Sequence, residues 1–176
     1  MLVLATGSAP KVFSLGDDSK VFPAAEALTG RVHPGQRVVI VGGGLVGCET
    51  ALWLAQQGKT VTIVEALDKL LALNGPLCHA NSEMLEALIP FHGIDVKCSA
   101  SVLRTTPNGV LVKQGGQEQE IEADTVLLCV GYRSENRLYE ELNREVPEIY
   151  QIGDARNVAN IMYAIWDAYE VASHIE

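Results

Sequence analysis

Positive charge is scarce in this chain. Its 13 lysines and arginines stand against 22 aspartates and glutamates, which leaves a net charge of -9. That balance excludes general nucleic-acid binding and attraction to an anionic membrane surface; a uniformly acidic surface accounts for it. Long apolar runs are lacking too, and no segment approaches the ~20 residues that a membrane-crossing helix needs. No basic stretch followed by an apolar run and a small-residue cleavage site stands at the start, so no secretory signal is read. Only 4 cysteines occur, at positions 48, 78, 98 and 129. None form CxxC, and none pair with a histidine at zinc-ligand spacing, which excludes the usual metal motifs. Cys48 and Cys129 lie within apolar segments, where a free thiol acts as a small hydrophobe. The expectation is a reduced, cytoplasmic protein with structural thiols. The histidines at 33, 79, 92 and 174 are scattered and read as solvated surface groups.

What is present is globular: 48% hydrophobic against 20% charged residues excludes a disordered chain. A length of 176 residues serves one ordinary domain or two small lobes. Residues 2–5, "LVLA", read as a short buried strand. The chain opens inside that strand, so a piece of a longer protein is expected. Residues 8–36 read as connector, with a short helix near "AAEALTG" that ends at Gly30. "RVVIV" (37–41) reads as a buried parallel strand, and Leu45, Val46, Cys48, Leu52 and Ala55 recur at helical spacing up to the stop at Gly58. "TVTIVE" (60–65) is the next strand. A loop through Asn74, Gly75 and Pro76 then leads to a helix whose apolar face is Met84, Leu85, Leu88 and Ile89. "IDVKC" (94–98) completes a strand–helix alternation that specifies a parallel α/β sheet. The rhythm then changes. "SVLRTT" (101–106), "GVLVKQ" (109–114) and "QEIEA" (119–123) read as an antiparallel meander. "TVLLCVG" (125–131) returns to a buried strand, and "EIYQIGD" (148–154) is another. Val158, Ile161, Met162, Ile165, Ala168, Tyr169 and Ala172 mark one face of a terminal helix.

The chemistry concentrates in "VVIVGGGLVGCE" (38–49), where Gly42-x-Gly44-x-x-Gly47 fits GxGxxG. The pattern alone is weak, but here it has a strand before it, a helix after it and a second strand that ends in an acidic residue. Gly42 permits the tight turn, Gly44 lets the backbone approach a pyrophosphate, and Gly47 lets the helix pack on the sheet. The helix over 45–57 then offers unpaired N–H groups and the positive end of its dipole to the phosphates. Glu65 ends the second strand. A carboxylate there accepts from an adenosine ribose and repels a 2′-phosphate, which favours NAD(H) over NADP(H). The alternative is a solvated strand end, and Lys69 nearby is a cation that tolerates a phosphate. FAD also fits this motif, so the glycines by themselves leave the cofactor open.

The flanks narrow the choice. "LVLATGSAP" before the motif and "IYQIGDARNVANIMYAIWDAYEVA" after it resemble the two-dinucleotide flavoproteins, the pyridine nucleotide-disulfide oxidoreductase fold. The resemblance implies a Rossmann domain for NAD(P)H inserted into a second one for FAD. It implies that "ATG" (Thr6, Gly7) crosses into the NAD domain and that "CVG" (Gly131) crosses back. It implies that Gly153 and Asp154 of "IGDA" belong to the FAD side, with Asp154 on the ribityl chain. "GGGLVGCE" then belongs to NAD(P)H, through Gly42, Gly43, Gly44, Leu45, Val46 and Gly47. Glu49 falls near the meeting of nicotinamide and flavin, or is a solvated or capping residue. The C-terminal run is most similar to NADH:flavin oxidoreductases of the 2-enoate and 2,4-dienoyl-CoA reductase type, although Arg156-Asn157-Val158 replaces that group's usual Pro-Arg.

The expectation is therefore a Rossmann-like parallel sheet with a three-stranded antiparallel meander over residues 32–130. Residues 1–31 and 131–176 form an incomplete FAD-domain remnant. The function implied is an electron-input module, with hydride passing from NADH to FAD in the full-length enzyme. The first FAD motif, the FMN barrel, the iron–sulfur cysteines and a CxxxxC redox pair are absent from the sequence, so the chain alone is expected to bind FAD poorly. Its partners are then NADH and the rest of a parent flavoenzyme, with a homodimer through an exposed strand edge as a further expectation. Two alternatives are an NADH oxidase or ferredoxin- or disulfide-reductase relative, and a non-catalytic nucleotide-binding module. No catalytic acid, base, nucleophile or metal ligand is assigned.

Overall fold

A computed structural model describes residues 1–72 and 79–175. The expected loop through Asn74, Gly75 and Pro76, together with Cys78 and the His79 side chain, lies outside the described residues. In chain order the elements are β1 (Leu2–Leu4), β2 (Ser8–Pro10), β3 (Val21–Pro23), α1 (Ala24–Leu28), β4 (Arg37–Val41), α2 (Leu45–Gln56), β5 (Thr60–Val64) and α3 (His79–Phe91). They continue as β6 (Asp95–Lys97), β7 (Ala100–Thr105), β8 (Gly109–Gln114), β9 (Gln117–Glu122), β10 (Thr125–Leu128), β11 (Tyr132–Ser134), α4 (Arg137–Leu142), β12 (Ile149–Gln151) and α5 (Ile161–Ser173). The chain divides into two compact units, Lys11–Gly131 and Met1–Pro10 with Tyr132–Glu176.

In the Lys11–Gly131 unit five parallel strands take the order β3-β10-β4-β5-β6. The apolar run of β4 has a simple cause, because both faces of the sheet are covered. Val38 and Ile40 point to one side, where they join Val61, Ile63 and Leu127 against Ala51 and Leu54 of α2 and Leu85 and Ile89 of α3. Val39 and Val41 point to the other and join Val64, Val126 and Leu128 against Val110 and Val112 of the meander. The period-2 alternation of side chains thus feeds two cores from one strand. Ile40, Ile63 and Leu127 are fully buried, each stabilising the fold by about 1.5–3 kcal/mol. Strands β7, β8 and β9 form the antiparallel meander as expected, with a register shift between Val102 and Arg104.

The structural and sequence-based boundaries differ. Residues 11–31, grouped above with residues 1–10, carry β3, which pairs with β10 at the sheet edge (Val21↔Val126). Residues 8–36 are largely connector as expected, with α1 where the short helix was read, but the strands β2 and β3 also fall there. Strands this short carry no readable periodicity. On α3, Leu85 and Ile89 are buried but Met84 is 44% exposed, so the stripe facing α2 and the sheet is narrower than the sequence indicated.

In the other unit β1 runs parallel to β12 (Leu2↔Ile149 to Leu4↔Gln151), joining the segments that lie before and after the motif. Strand β2 runs antiparallel to β11 (Ala9↔Arg133). Two expectations are corrected. The "LVLA" strand is not buried throughout: Leu4 is inside, whereas Val3 is 38% exposed. Among the described residues β1 pairs only with β12, and its side chains alternate in and out. The terminal helix α5 starts at Ile161 after an Asn160 cap, whose side chain accepts from Tyr163 N, so Val158 precedes it. Its apolar face is open, with Ile161, Ile165 and Tyr169 each more than 60% exposed.

Candidate nucleotide-binding site

Strand β4 ends at Val41, and the glycines turn the chain into α2. Gly42 has φ +104°, a conformation that L side chains rarely adopt, and its N–H donates to Val64 O at 2.9 Å. A Cβ on Gly42 would stand 2.5 Å from Cys129 O, and one on Gly47 would stand 1.9 Å from Gly42 O. Neither position admits a side chain while α2 presses on the ends of β4 and β10. Gly44 is the N-cap of α2, contributes no side-chain cap, and no acidic residue occupies the first turn. The first intrahelical bond runs from Cys48 N to Gly44 O at 2.9 Å. The N–H groups ahead of Cys48 therefore have no partner within the helix, which is the arrangement that receives phosphate oxygens. Leu45 and Val46 pack partly buried against the helix-side core and hold this turn down.

Gly43 is held differently. Its N–H donates to Glu65 Oε2 at 2.5 Å, and its carbonyl accepts from Leu71 N at 2.8 Å and from Cys48 Sγ at 3.4 Å. Glu65 thus stands beside the glycine loop, half-buried, with Oε1 accepting from Leu67 N at 2.8 Å. A carboxylate offers about four acceptor positions, so Glu65 keeps acceptor capacity beyond these two bonds. Glu49 is exposed on the second turn of α2 and accepts from Asn81 Nδ2 at 3.2 Å. Gly131 closes the unit, its carbonyl accepting from Lys11 N at 2.9 Å.

The residues expected on the FAD side meet in the other unit. Thr6 Oγ1 donates to Glu135 O at 2.5 Å, and Gly7 O accepts from Glu135 N at 2.9 Å. Asp154 has both carboxylate oxygens engaged, by Ser8 Oγ at 2.8 Å and by Ala159 N at 3.1 Å. Gly153 N donates to Asp167 Oδ2 at 3.1 Å, and Asp167 also pairs with Arg156 at 3.0 Å. Leu70, Leu71, Asn81, Ser8 and Asp167 went unnoticed in the sequence. Each meets its partner through tertiary packing, with no motif to announce it.

The three thiols among the described residues are not poised for chemistry. Burial, with Glu65 as the next contributor, pushes the Cys48 thiol up to about 12. Burial and then Cys48 push Cys129 up to about 12. Cys98 is raised by burial and by Glu65 and Asp68. All three stay protonated near neutral pH, and a thiol is a poor nucleophile. Among the described residues no group of histidines, cysteines and carboxylates is arranged to hold a metal ion, and no helix is long and apolar enough to cross a membrane.

The family model for pyridine nucleotide-disulphide oxidoreductases matches residues 1–168. The chain belongs to this family. A cinnamate reductase of Clostridium sporogenes is 50% identical over 174 residues, which cover 99% of this chain and 26% of that protein. An NADH oxidase of Thermoanaerobacter brockii is 35% identical over 182 residues, covering 99% of this chain and 28% of that protein. The chain thus spans about a quarter of the length of these curated relatives. Among solved structures, a 2-naphthoyl-CoA reductase in complex with 2-naphthoyl-CoA superposes with a TM-score of 0.90 at 27% identity, covering 99% of this chain and 27% of that one. The thioredoxin reductase of T. acidophilum, at 23% identity and TM-score 0.75 over 97% of this chain and 63% of its own, shows the shared fold. These similarities bear out the resemblance to flavin-dependent, NAD(P)H-using oxidoreductases and its narrower enoate-reductase form.

Proposed function

We propose that the chain is the NADH-binding, electron-input part of a flavin-dependent oxidoreductase. The observation that carries this reading is the α2 N-terminus, left without a side-chain cap, beside a glycine loop bonded to the Glu65 carboxylate. The first-turn N–H groups would hold the pyrophosphate, Glu65 would accept from the adenosine ribose, and Glu49, steadied by Asn81, would lie toward the nicotinamide. The cofactors supply the redox chemistry, a hydride leaving the nicotinamide for the flavin. The protein positions the donor, and no side chain is assigned as acid, base or nucleophile.

Glu65 also sets the preference for NADH. A carboxylate about 4 Å from a 2′-phosphate charge meets a repulsion of about 1–4 kcal/mol, depending on local screening. Lys69, exposed on the same segment, offsets part of it. The chain alone holds FAD weakly on this reading, because the carboxylate of Asp154 is already engaged and its unit offers no glycine-rich strand–helix cradle among the described residues. The β1 edge is where a second copy would pair.

Fluorescence titration of the 176-residue chain with NADH and NADPH tests the reading. NADH should bind at least about tenfold tighter, the counterpart of ~1.4 kcal/mol. Equal affinities would remove Glu65 from selection, and no saturable binding would favour a structural module. A yellow preparation with stoichiometric flavin would overturn the weak-FAD part, and sedimentation as a monomer the pairing through β1.

A further inference from the structure

We infer, on the nucleotide reading above, that the segment Glu65–Leu71 is a strap seated on Gly43, and that Leu70 and Leu71 join Glu65 as positioning residues for the phosphate loop. GxGxxG asks for glycine at its first, third and sixth places and leaves the second free. Here the second is also glycine, and its surroundings explain why. A Cβ on Gly43 would stand 2.4 Å from Leu70 Cδ2 and 3.1 Å from Glu65 Cβ. The place of that side chain is taken by the strap.

The strap grips both polar ends of Gly43. Glu65 Oε2 takes the N–H at 2.5 Å, and Leu71 N supplies the carbonyl at 2.8 Å. The strap is itself anchored to the sheet end and to β7: Glu65 N donates to Lys97 O at 2.9 Å, Glu65 O accepts from Ala100 N at 2.9 Å, and Ser99 N donates to Leu67 O at 2.7 Å. Leu71 closes the strap at φ +59°, a left-handed backbone unusual for leucine, and its side chain is only 9% exposed. Such a conformation persists where the surroundings over-determine it, and the bond to Gly43 together with core packing does so here.

Two consequences follow for the nucleotide. The N–H of Gly43 is committed to Glu65, so the phosphates meet the first turn of α2 rather than the middle glycine. The ribose end and the phosphate end of the site also share one carboxylate. A glutamine at 65 would turn an amide NH2 toward the N–H of Gly43 or of Leu67, so a neutral isostere should loosen the loop itself.

A double-mutant cycle tests the strap, with two readouts in the 176-residue chain: amide hydrogen exchange without nucleotide, and NADH affinity by fluorescence. Gly43→Ala should speed exchange at Leu71 and weaken NADH binding, each by about tenfold, and adding Leu70→Ala should recover about a third or more of both losses. Recovery is partial because Glu65 Cβ still crowds the new methyl. Wild-type exchange at Leu71 in Gly43→Ala, or a double variant no better than the single one, would overturn the strap. Should Gly43→Ala not fold, Glu65→Gln replaces it: faster exchange at Gly43 and Leu67 supports the strap, and unchanged exchange refutes it. Exchange behaving as expected in a chain that binds no NADH would uphold the strap and sink the nucleotide reading.

Discussion

Strand β4 buries four of its five residues and β10 all four, whereas the thirteen residues of α5 include none that is buried. The first two belong to the Lys11–Gly131 unit and the third to the other. Their apolar content is similar, so composition does not separate them. The difference is coverage. The central strands have helices on one face and a meander on the other, so every apolar side chain finds a partner. Helix α5 carries an apolar stripe, but its isoleucines and aromatic residues face solvent, with Trp166 57% and Tyr169 76% exposed. An amphipathic element gains stability only from the surface it packs on. The glycine loop is therefore set on a well-packed frame, while the Gly153–Asp154 turn rests on the buried Ala155 and a few polar bonds.

The sharpest way to break this contrast is a matched pair of truncations. Ile63→Ala, in the fully buried core, should cost about 2–5 kcal/mol in urea unfolding. Ile165→Ala, on the open face of α5, should change stability by no more than about 0.5 kcal/mol. Comparable losses would mean that α5 is covered in solution. Next in size is Gly47→Ala. Its new methyl would stand 1.9 Å from Gly42 O, so overpacking should cost about 1–3 kcal/mol and weaken NADH binding along with it. A neutral result in both measurements would show that α2 can shift without harm to the loop.

Smaller effects come from titration. Arg37 holds the Asp124 carboxyl down at about 2, chiefly through side-chain hydrogen bonds, with Arg37 Nη2 2.6 Å from Asp124 Oδ1. A depressed folded value means stability that is present above the ordinary 3.8 and is lost as pH falls toward 2. Asp124→Asn should therefore lower the melting temperature slightly at neutrality, where the contribution is fully present, and converge with the wild type as pH falls toward 2; the effect is small because the pair is exposed. The smallest effect is kinetic. Cys48 and Cys129, both raised to about 12, should label with maleimide more slowly than Cys98 in the folded chain at pH 7. Equal rates for Cys48 in native and unfolded protein would contradict its burial.

The strand–helix frame around the glycines was legible because parallel strands covered on both faces must be apolar throughout, and "RVVIV" and "TVLL" can satisfy little else. The meander was legible from its turns, Pro107-Asn108 and Gly115-Gly116. Strands β2 and β3 were not, because three residues show no period. The exposure of the α5 face was not legible for a related reason: a 3.6-residue stripe specifies a helix with an apolar face but not what stands opposite it. At the site, the positive φ of Gly42 and the close approach of Gly47 to Gly42 O could be read from spacing, since both arise within a few residues of chain, whereas the press of Cys129 O on Gly42 could not. Asn81 on α3 and Ser8 on β2, which hold Glu49 and Asp154, lie 32 and 146 residues away along the chain and left no mark that a motif would detect.

By itself, then, the sequence determined the alternation of elements, the tight turn after Val41 and a helix N-terminus free of acidic side chains, because each depends on local backbone geometry and on the period of apolar residues. Only the tertiary structure decided what Gly43 is for. Its partners Glu65, Leu70 and Leu71 come from the end of the neighbouring strand, and a contact of that kind exists only once β4 and β5 lie side by side.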